Sequence, residues 1–134
     1  MGKMECRCLD TDILIDFLRG KERAVKYVES MRKSTRLVTT VINAFELYYG
    51  AYKYKRDTEK LNEFLKSMEI LPFTIIEAKK AAEIEANLES QGEVVGLKDV
   101  LISSIAISNN CTIVTGNVKH FNKIQGVKVE SWSK

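Results

Sequence analysis

Histidine, tryptophan and proline appear once each in the 134 residues, cysteine three times, and no long hydrophobic run is present. The odd cysteine count argues against a disulfide framework, since Cys6 and Cys8 would share one face of a strand without bridging each other easily. The lone histidine, His120, completes a possible zinc set with Cys6, Cys8 and Cys111, but C-x-C is not the usual knuckle spacing and zinc is not expected. The longest uncharged apolar stretch, Val100 to Ile107, falls far short of the ~20 residues that span a bilayer, so no membrane helix is expected. Met1-Gly2-Lys3-Met4-Glu5-Cys6 holds no apolar signal core and carries Cys6 where a myristoylation pattern wants Ser or Thr. The expected location is cytoplasmic. Repeats, linkers and low-complexity tracts are missing too. The net charge of +3 is compatible with a polyanionic partner but too mild to demand one.

What is there suffices for a core. With 45% hydrophobic residues, a chain of this length buries roughly two-thirds of the surface its unfolded form exposes, and one domain over residues 1–134 is expected. Residues 5–9 read as a strand, followed by Asp10-Thr11-Asp12, which can open a helix that stops at Gly20. Residues 21–32 have helical spacing, 36–39 read as a strand, and the stripe Val41, Phe45, Tyr48, Tyr52 marks a helix of several turns. A further helix begins at Asp57, with Leu61, Phe64, Leu65 and Met68 inward, and residues 70–73 form a third strand. Thr74 to Glu77 is a capping box opening the helix that runs to Gln91. Residues 99–109 are apolar nearly all round, as a buried helix reads, and 112–115 form the fourth strand. A loop from Gly116 to Lys123 and a last edge strand over 127–129 complete the chain. Strands joined by helical crossovers predict an α/β fold of three layers, with a mostly parallel central sheet flanked by helices.

Ligands of such sheets bind beyond the carboxyl ends of the strands. That rule singles out Asp10, Asp12, Thr39, Thr40, Thr115, Gly116 and Asn117. Asp99 opens the buried helix at the same sheet edge, and Glu46 lies two turns into its own helix, with Gly50 leaving space one turn later. Each acid alone has a plain explanation: Asp10 or Asp12 caps a helix, Asp99 favours a helix N-terminus, and Glu46 is a solvated helix residue. Together, three carboxylates around one crevice repel one another unless their pKa values rise or a cation sits between them. Mg²⁺ or Mn²⁺, which prefer carboxylate and water oxygens, meet that need. Basic residues cluster at Arg19 to Lys26 and at Lys53 to Lys60, with Tyr48, Tyr49, Tyr52 and Tyr54 crowding the second cluster. Rings beside cations suit stacked bases or a protein partner, although core packing accounts for Tyr48 and Tyr52 as well.

Leu9-Asp10-Thr11-Asp12-Ile13-Leu14-Ile15-Asp16, with Arg19-Gly20 after it, resembles the opening of PIN-domain ribonucleases, particularly the VapC-like toxins of toxin–antitoxin pairs. Asn43-Ala44-Phe45-Glu46-Leu47 with Gly50-Ala51 resembles the helix bearing that family's second acid, and Asp99 to Ala106 the segment bearing its third. Thr115-Gly116-Asn117, His120-Phe121 and Gly126 to Trp132 resemble its closing segment, so the likeness covers essentially the whole chain. The resemblance implies a Mg²⁺- or Mn²⁺-dependent endoribonuclease, a homodimer, and a VapB-like antitoxin that inserts at the active site. Asp10 and Asp99 would hold the ion, Glu46 would complete its shell, and the ion would activate a water for attack on the scissile phosphate. Asn117 stands where many relatives have a fourth acid; it adds no charge and is assigned to orienting a metal-bound water. Arg19, Tyr49, Lys53 and His120 are the candidate RNA or partner surface. Two rivals remain: a PIN-like module that binds RNA or protein without cutting, and a haloacid-dehalogenase-type phosphatase built on Asp10-x-Asp12. Against the phosphatase, Leu14 stands where that class wants Thr or Val, and Asp99 has no acidic neighbour within several residues. A phosphorelay receiver fails because the third strand ends in Pro72-Phe73-Thr74, without a phosphoacceptor aspartate.

Overall fold

The structure, a computed structural model, describes residues 4–132; the expectations for Met1, Gly2 and Lys3 lie outside the described residues. Five strands, β1 (Glu5–Leu9), β2 (Thr35–Thr40), β3 (Glu69–Leu71), β4 (Cys111–Val114) and β5 (Val129–Glu130), form one sheet in the order β3-β2-β1-β4-β5. Every pairing in it is parallel. The helices are α1 (Thr11–Leu18), α2 (Glu22–Met31), α3 (Val41–Lys53), α4 (Glu59–Ser67), α5 (Ile75–Ser90), α6 (Leu97–Ser108) and α7 (Val118–Phe121).

Pleating sends successive strand residues to opposite faces, and the core divides accordingly. Cys8, Val38 and Ile113 meet Ile102 and Ile105 of α6 and Phe121 of α7 on one face. Leu9 and Val114 meet Ile13, Leu14, Ala24 and Leu47 from α1, α2 and α3 on the other. A smaller cluster of Ile84, Leu88, Val100 and Ile124 seats α5 on α6. These are the three layers that the alternation of strands and helices predicts. From β1 the chain first builds outward through β2 and β3, then returns to place β4 and β5 on the other side. The sheet therefore changes direction between β1 and β4, and a crevice opens beyond their carboxyl ends.

Local signals set the boundaries. The Thr74–Glu77 capping box is present at the start of α5, and the Thr40 side chain accepts from the backbone N–H groups of Ile42 and Asn43 to cap α3. Gly20 ends α1 at φ 73°, a left-handed conformation that glycine adopts without strain.

Three expectations are corrected. Cys6 and Cys111 form a disulfide, because β1 and β4 pair with these two residues in direct register and their Cα atoms lie 4.6 Å apart. The segment from Gly116 to Lys123 is not all loop: α7 occupies its middle and buries Phe121 completely. Four residues are too few to show a helical period. In α3 the period is right but the aromatic stripe faces outward, since Asn43, Ala44 and Leu47 are buried while Val41, Phe45 and Tyr52 are exposed.

The disulfide gives a thiol count. Disulfides are uncommon in reducing compartments, so the protein is to be alkylated at lysis. One reactive thiol per chain, from buried Cys8, is expected on denaturation and three after reduction. With 105 residues separating the joined cysteines, reduction is expected to remove up to about 5 kcal/mol of stability. A thiol count that does not rise on reduction would contradict the bridge.

Candidate active site

Asp10 follows β1 directly and occupies the N-cap position of α1, yet its side chain makes no cap hydrogen bond. Its carboxylate turns into the crevice instead. Oδ1 accepts from Asn43 Nδ2 at 3.0 Å, and Oδ2 accepts from Thr115 Oγ1 at 2.8 Å. Asn43, fully buried, also donates to Thr11 Oγ1 at 3.0 Å and accepts from Thr40 Oγ1 at 2.7 Å. Thr11 Oγ1 in turn donates to Glu46 Oε1 at 2.7 Å. Four elements are thereby tied to one carboxylate: β2 supplies Thr40, α3 supplies Asn43 and Glu46, α1 supplies Thr11, and the residue after β4 is Thr115.

Asp12 supports the same edge from the first turn of α1. Its Oδ2 accepts from the Gly116 backbone N–H at 2.7 Å, and a Cβ at residue 116 would lie 2.7 Å from that oxygen. A larger residue there would have to displace the Asp12 carboxylate from this position. The Asn117 backbone N–H donates to Thr115 Oγ1 at 2.9 Å, so the turn after β4 holds the hydroxyl that holds Asp10.

Asp99 lies in the first turn of α6 and is half-buried. His120 Nδ1 is 3.7 Å from its Oδ2, and Lys98 Nζ is 3.7 Å from Glu46 Oε2, which places one cation-capable group at each rim of the crevice. Asp10 itself is only 9% exposed. Burial pushes its carboxyl up to about 6, against the lowering effect of its hydrogen bonds, and the charges of Asp12 and Asp99 push the same way. Burial also raises Asp99, with the Glu46 charge adding to it and His120 and Lys98 opposing. The acids thus sense one another across the crevice, and the basic groups near them sit at its edge. Among the described residues no three His, Cys, Asp or Glu side chains close into a ready-made ligand shell. Mg²⁺ keeps several waters and is held through one or two carboxylates, so a single pair of these acids would be enough for it. A hard cation fits this oxygen donor set.

Asp10 and Glu46 are joined through Asn43 and Thr11, and Asp99 is near enough for its charge to raise the Asp10 pKa, so the three acids lie at the same end of the sheet. Asn117 lies at the rim of the crevice, where Nδ2 is 2.9 Å from His120 Nδ1, and its amide engages the imidazole rather than the buried acids. Arg19 is exposed at the far end of α1, roughly 13 Å along the helix from Asp10. Tyr49 and Lys53 lie on the outer face of α3, with Lys53 Nζ 5.8 Å from the Tyr49 ring centroid. Sequence reasoning assigned no role to Asn43 or Lys98. Asn43 stands in the motif that carries Glu46, and its spacing from Thr40 was the available signal.

A parallel α/β sheet with a buried aspartate at its change of direction, and further acids gathered from two other helices, defines the class. The chain belongs to the PIN-domain family, whose pattern matches residues 7–127. It is 32% identical over 130 residues to ribonuclease VapC2 of Rickettsia felis, covering 94% of this chain and 97% of that protein. It is 30% identical over 128 residues to the tRNA(fMet)-specific endonuclease VapC of Shigella flexneri, covering 93% and 96%. Among solved structures, VapBC2 from Rickettsia felis bound to a promoter DNA fragment aligns with a TM-score of 0.88 at 30% identity, covering 96% of this chain and 99% of that one. DNA-bound VapBC from Salmonella typhimurium aligns with a TM-score of 0.84 at 26% identity, covering 97% and 99%.

The buried acid predicts an inverted response to charge removal. Because the folded-state value of Asp10, about 6, lies above the ordinary 3.8, the folded chain keeps this proton longer than the unfolded one. Stability from this group is therefore lost as pH rises between those values, and the loss, about 3 kcal/mol, is complete above them. In EDTA, Asp10→Asn is expected to unfold later than wild type at about pH 8, with the advantage closing by about pH 4. Denaturant melts at both pH values check this; a variant less stable at the higher pH would contradict it.

Proposed function

We propose that this chain is a divalent-metal-dependent endoribonuclease, the toxin of a toxin–antitoxin pair neutralised by a VapB-like antitoxin. The observation that carries the reading is the Asp10 carboxylate, buried beyond β1 and held by Asn43 and Thr115, with the charges of Asp12 and Asp99 acting on it and that of Glu46 acting on Asp99. The VapC ribonucleases among its relatives and the VapBC complexes among its structural neighbours support it.

Asp10 and Asp99 would hold Mg²⁺ or Mn²⁺, with Glu46 beside them. The chemistry supplied by a bound divalent ion would be activation of a water and neutralisation of charge developing on the scissile phosphate. The chain's own residues prepare that chemistry. Asn43 and Thr115 fix the Asp10 carboxylate by donating to its two oxygens, leaving lone pairs free toward the crevice. Thr11 fixes Glu46 in the same way. His120 and Lys98 stand at the rim to meet RNA phosphate, and Asn117 orients His120. Arg19, Tyr49 and Lys53 belong to the wider RNA or partner surface. The chain works as one PIN domain, as a homodimer, in the cytoplasm where its RNA substrate and antitoxin are found.

Purified protein is expected to cleave structured RNA with Mg²⁺ or Mn²⁺ and not in EDTA. Asp10→Asn or Asp99→Asn should lower the rate by at least about a hundredfold. Expression of wild type, and not of Asp10→Asn, should arrest growth, a result that trace contaminating nucleases cannot mimic. Cleavage that survives EDTA or either substitution would overturn the reading, and arrest by both proteins would favour binding without cutting.

A further inference from the structure

The outer face of α3 carries more exposed aromatic surface than a solvated helix needs, and it adjoins the acids. Phe45 is 56% exposed and Tyr49 53%, their ring centroids are 6.3 Å apart, and the planes are inclined by 26°. Lys98 Nζ reaches both rings, at 5.9 Å from Phe45 and 6.0 Å from Tyr49, while also lying 3.7 Å from Glu46 Oε2. Lys53 Nζ is 5.8 Å from the Tyr49 centroid and 5.5 Å from that of Tyr54, and the Arg56 guanidinium is 5.8 Å from Tyr54. One lysine thus bridges the active-site carboxylate and the aromatic pair. The cations stand near the limit of the cation–π range, and about half of each ring's residue surface remains exposed.

We propose that Phe45 and Tyr49, with Lys98, form a stacking subsite for a base of single-stranded RNA next to the phosphate that is cut. The proposal rests on the nuclease reading above and names a positioning role within it. An apolar protein surface laid on this face would have to strip water from Lys53, Arg56 and Lys98 without replacing their counter-charge. Single-stranded RNA brings both things the patch is built for, a π-face for the rings and phosphates for the cations. Position adds to this. Lys98 lies beside Glu46 and both rings, so the aromatic pair adjoins one of the acids that a phosphate would approach.

The test measures binding apart from cleavage. A short fluorescein-labelled single-stranded RNA of randomised sequence is titrated, in Mg²⁺, against Asp10→Asn protein, alone and combined with Phe45→Ala, Tyr49→Ala, Lys98→Ala or Phe45→Trp. Phe45→Ala and Tyr49→Ala are each expected to weaken binding about tenfold with the salt dependence unchanged, as loss of a stacked base requires. Lys98→Ala should reduce the salt slope by about one. Phe45→Trp should bind as the parent does, and its emission, taken over the Trp132 background, should be quenched by the RNA. Unchanged affinity in both alanine variants, or no quenching in Phe45→Trp, overturns the subsite. A changed oligomeric mass by light scattering with unchanged RNA affinity assigns the face to contact between copies and overturns it too. Cleavage of structured RNA by wild type is scored separately, so failure of the nuclease reading is visible as absent cleavage whatever the alanine variants do.

Discussion

A carboxylate taken out of water must find compensation, and at Asp10 the protein supplies only part of it. Two hydrogen bonds, from Asn43 and Thr115, orient the group without neutralising it. Burial and the neighbouring acids still lift its pKa to about 6. The fold accepts that cost at the one place where a parallel sheet changes direction, between β1 and β4. What the chain leaves uncompensated, a cation can complete, and the same cation is what phosphodiester chemistry needs. The electrostatic strain and the proposed activity are in that sense one arrangement.

Rigidity around the carboxylate comes from a chain of hydroxyl and amide groups. Thr40 caps α3 and holds Asn43; Asn43 reaches Asp10 and Thr11; Thr11 holds Glu46; Thr115 holds Asp10 and is itself held by the backbone after β4. Each member sits on a regular element or directly at its end, where position varies less than in a loop. The site is therefore set by packing of the sheet and its helices. The rim is different in character: His120 and Lys98 are exposed and longer in reach, each standing beside an acid of the site.

Much of this was legible in the sequence because it depends on local rules. Alternating strands, the Thr74–Glu77 capping box and the largely apolar run of α6 read directly from residue spacing, and the strand-end rule singles out Asp10, Thr115 and Asn117. What stayed hidden depends on register and phase. Cys6 faces Cys111 only because β1 and β4 pair in one particular register, which composition does not encode. The outward turn of Phe45 and Tyr52 reverses the ordinary assumption that apolar residues face the core, because burying Asn43 beside Asp10 fixes which way α3 rotates. Lys98 looked like one more surface lysine until α6 and α3 were brought together and it met Glu46 and two rings at once.

The central claim, that the buried acids call for a cation, is tested most directly by calorimetric titration of Mn²⁺ into the apo-protein near pH 6, in two buffers of different ionisation enthalpy. The account predicts binding that releases protons, because Asp10 is partly protonated there and must ionise to ligate, and predicts that Asp10→Asn abolishes it. No binding by wild type, or equal binding by Asp10→Asn, would contradict it.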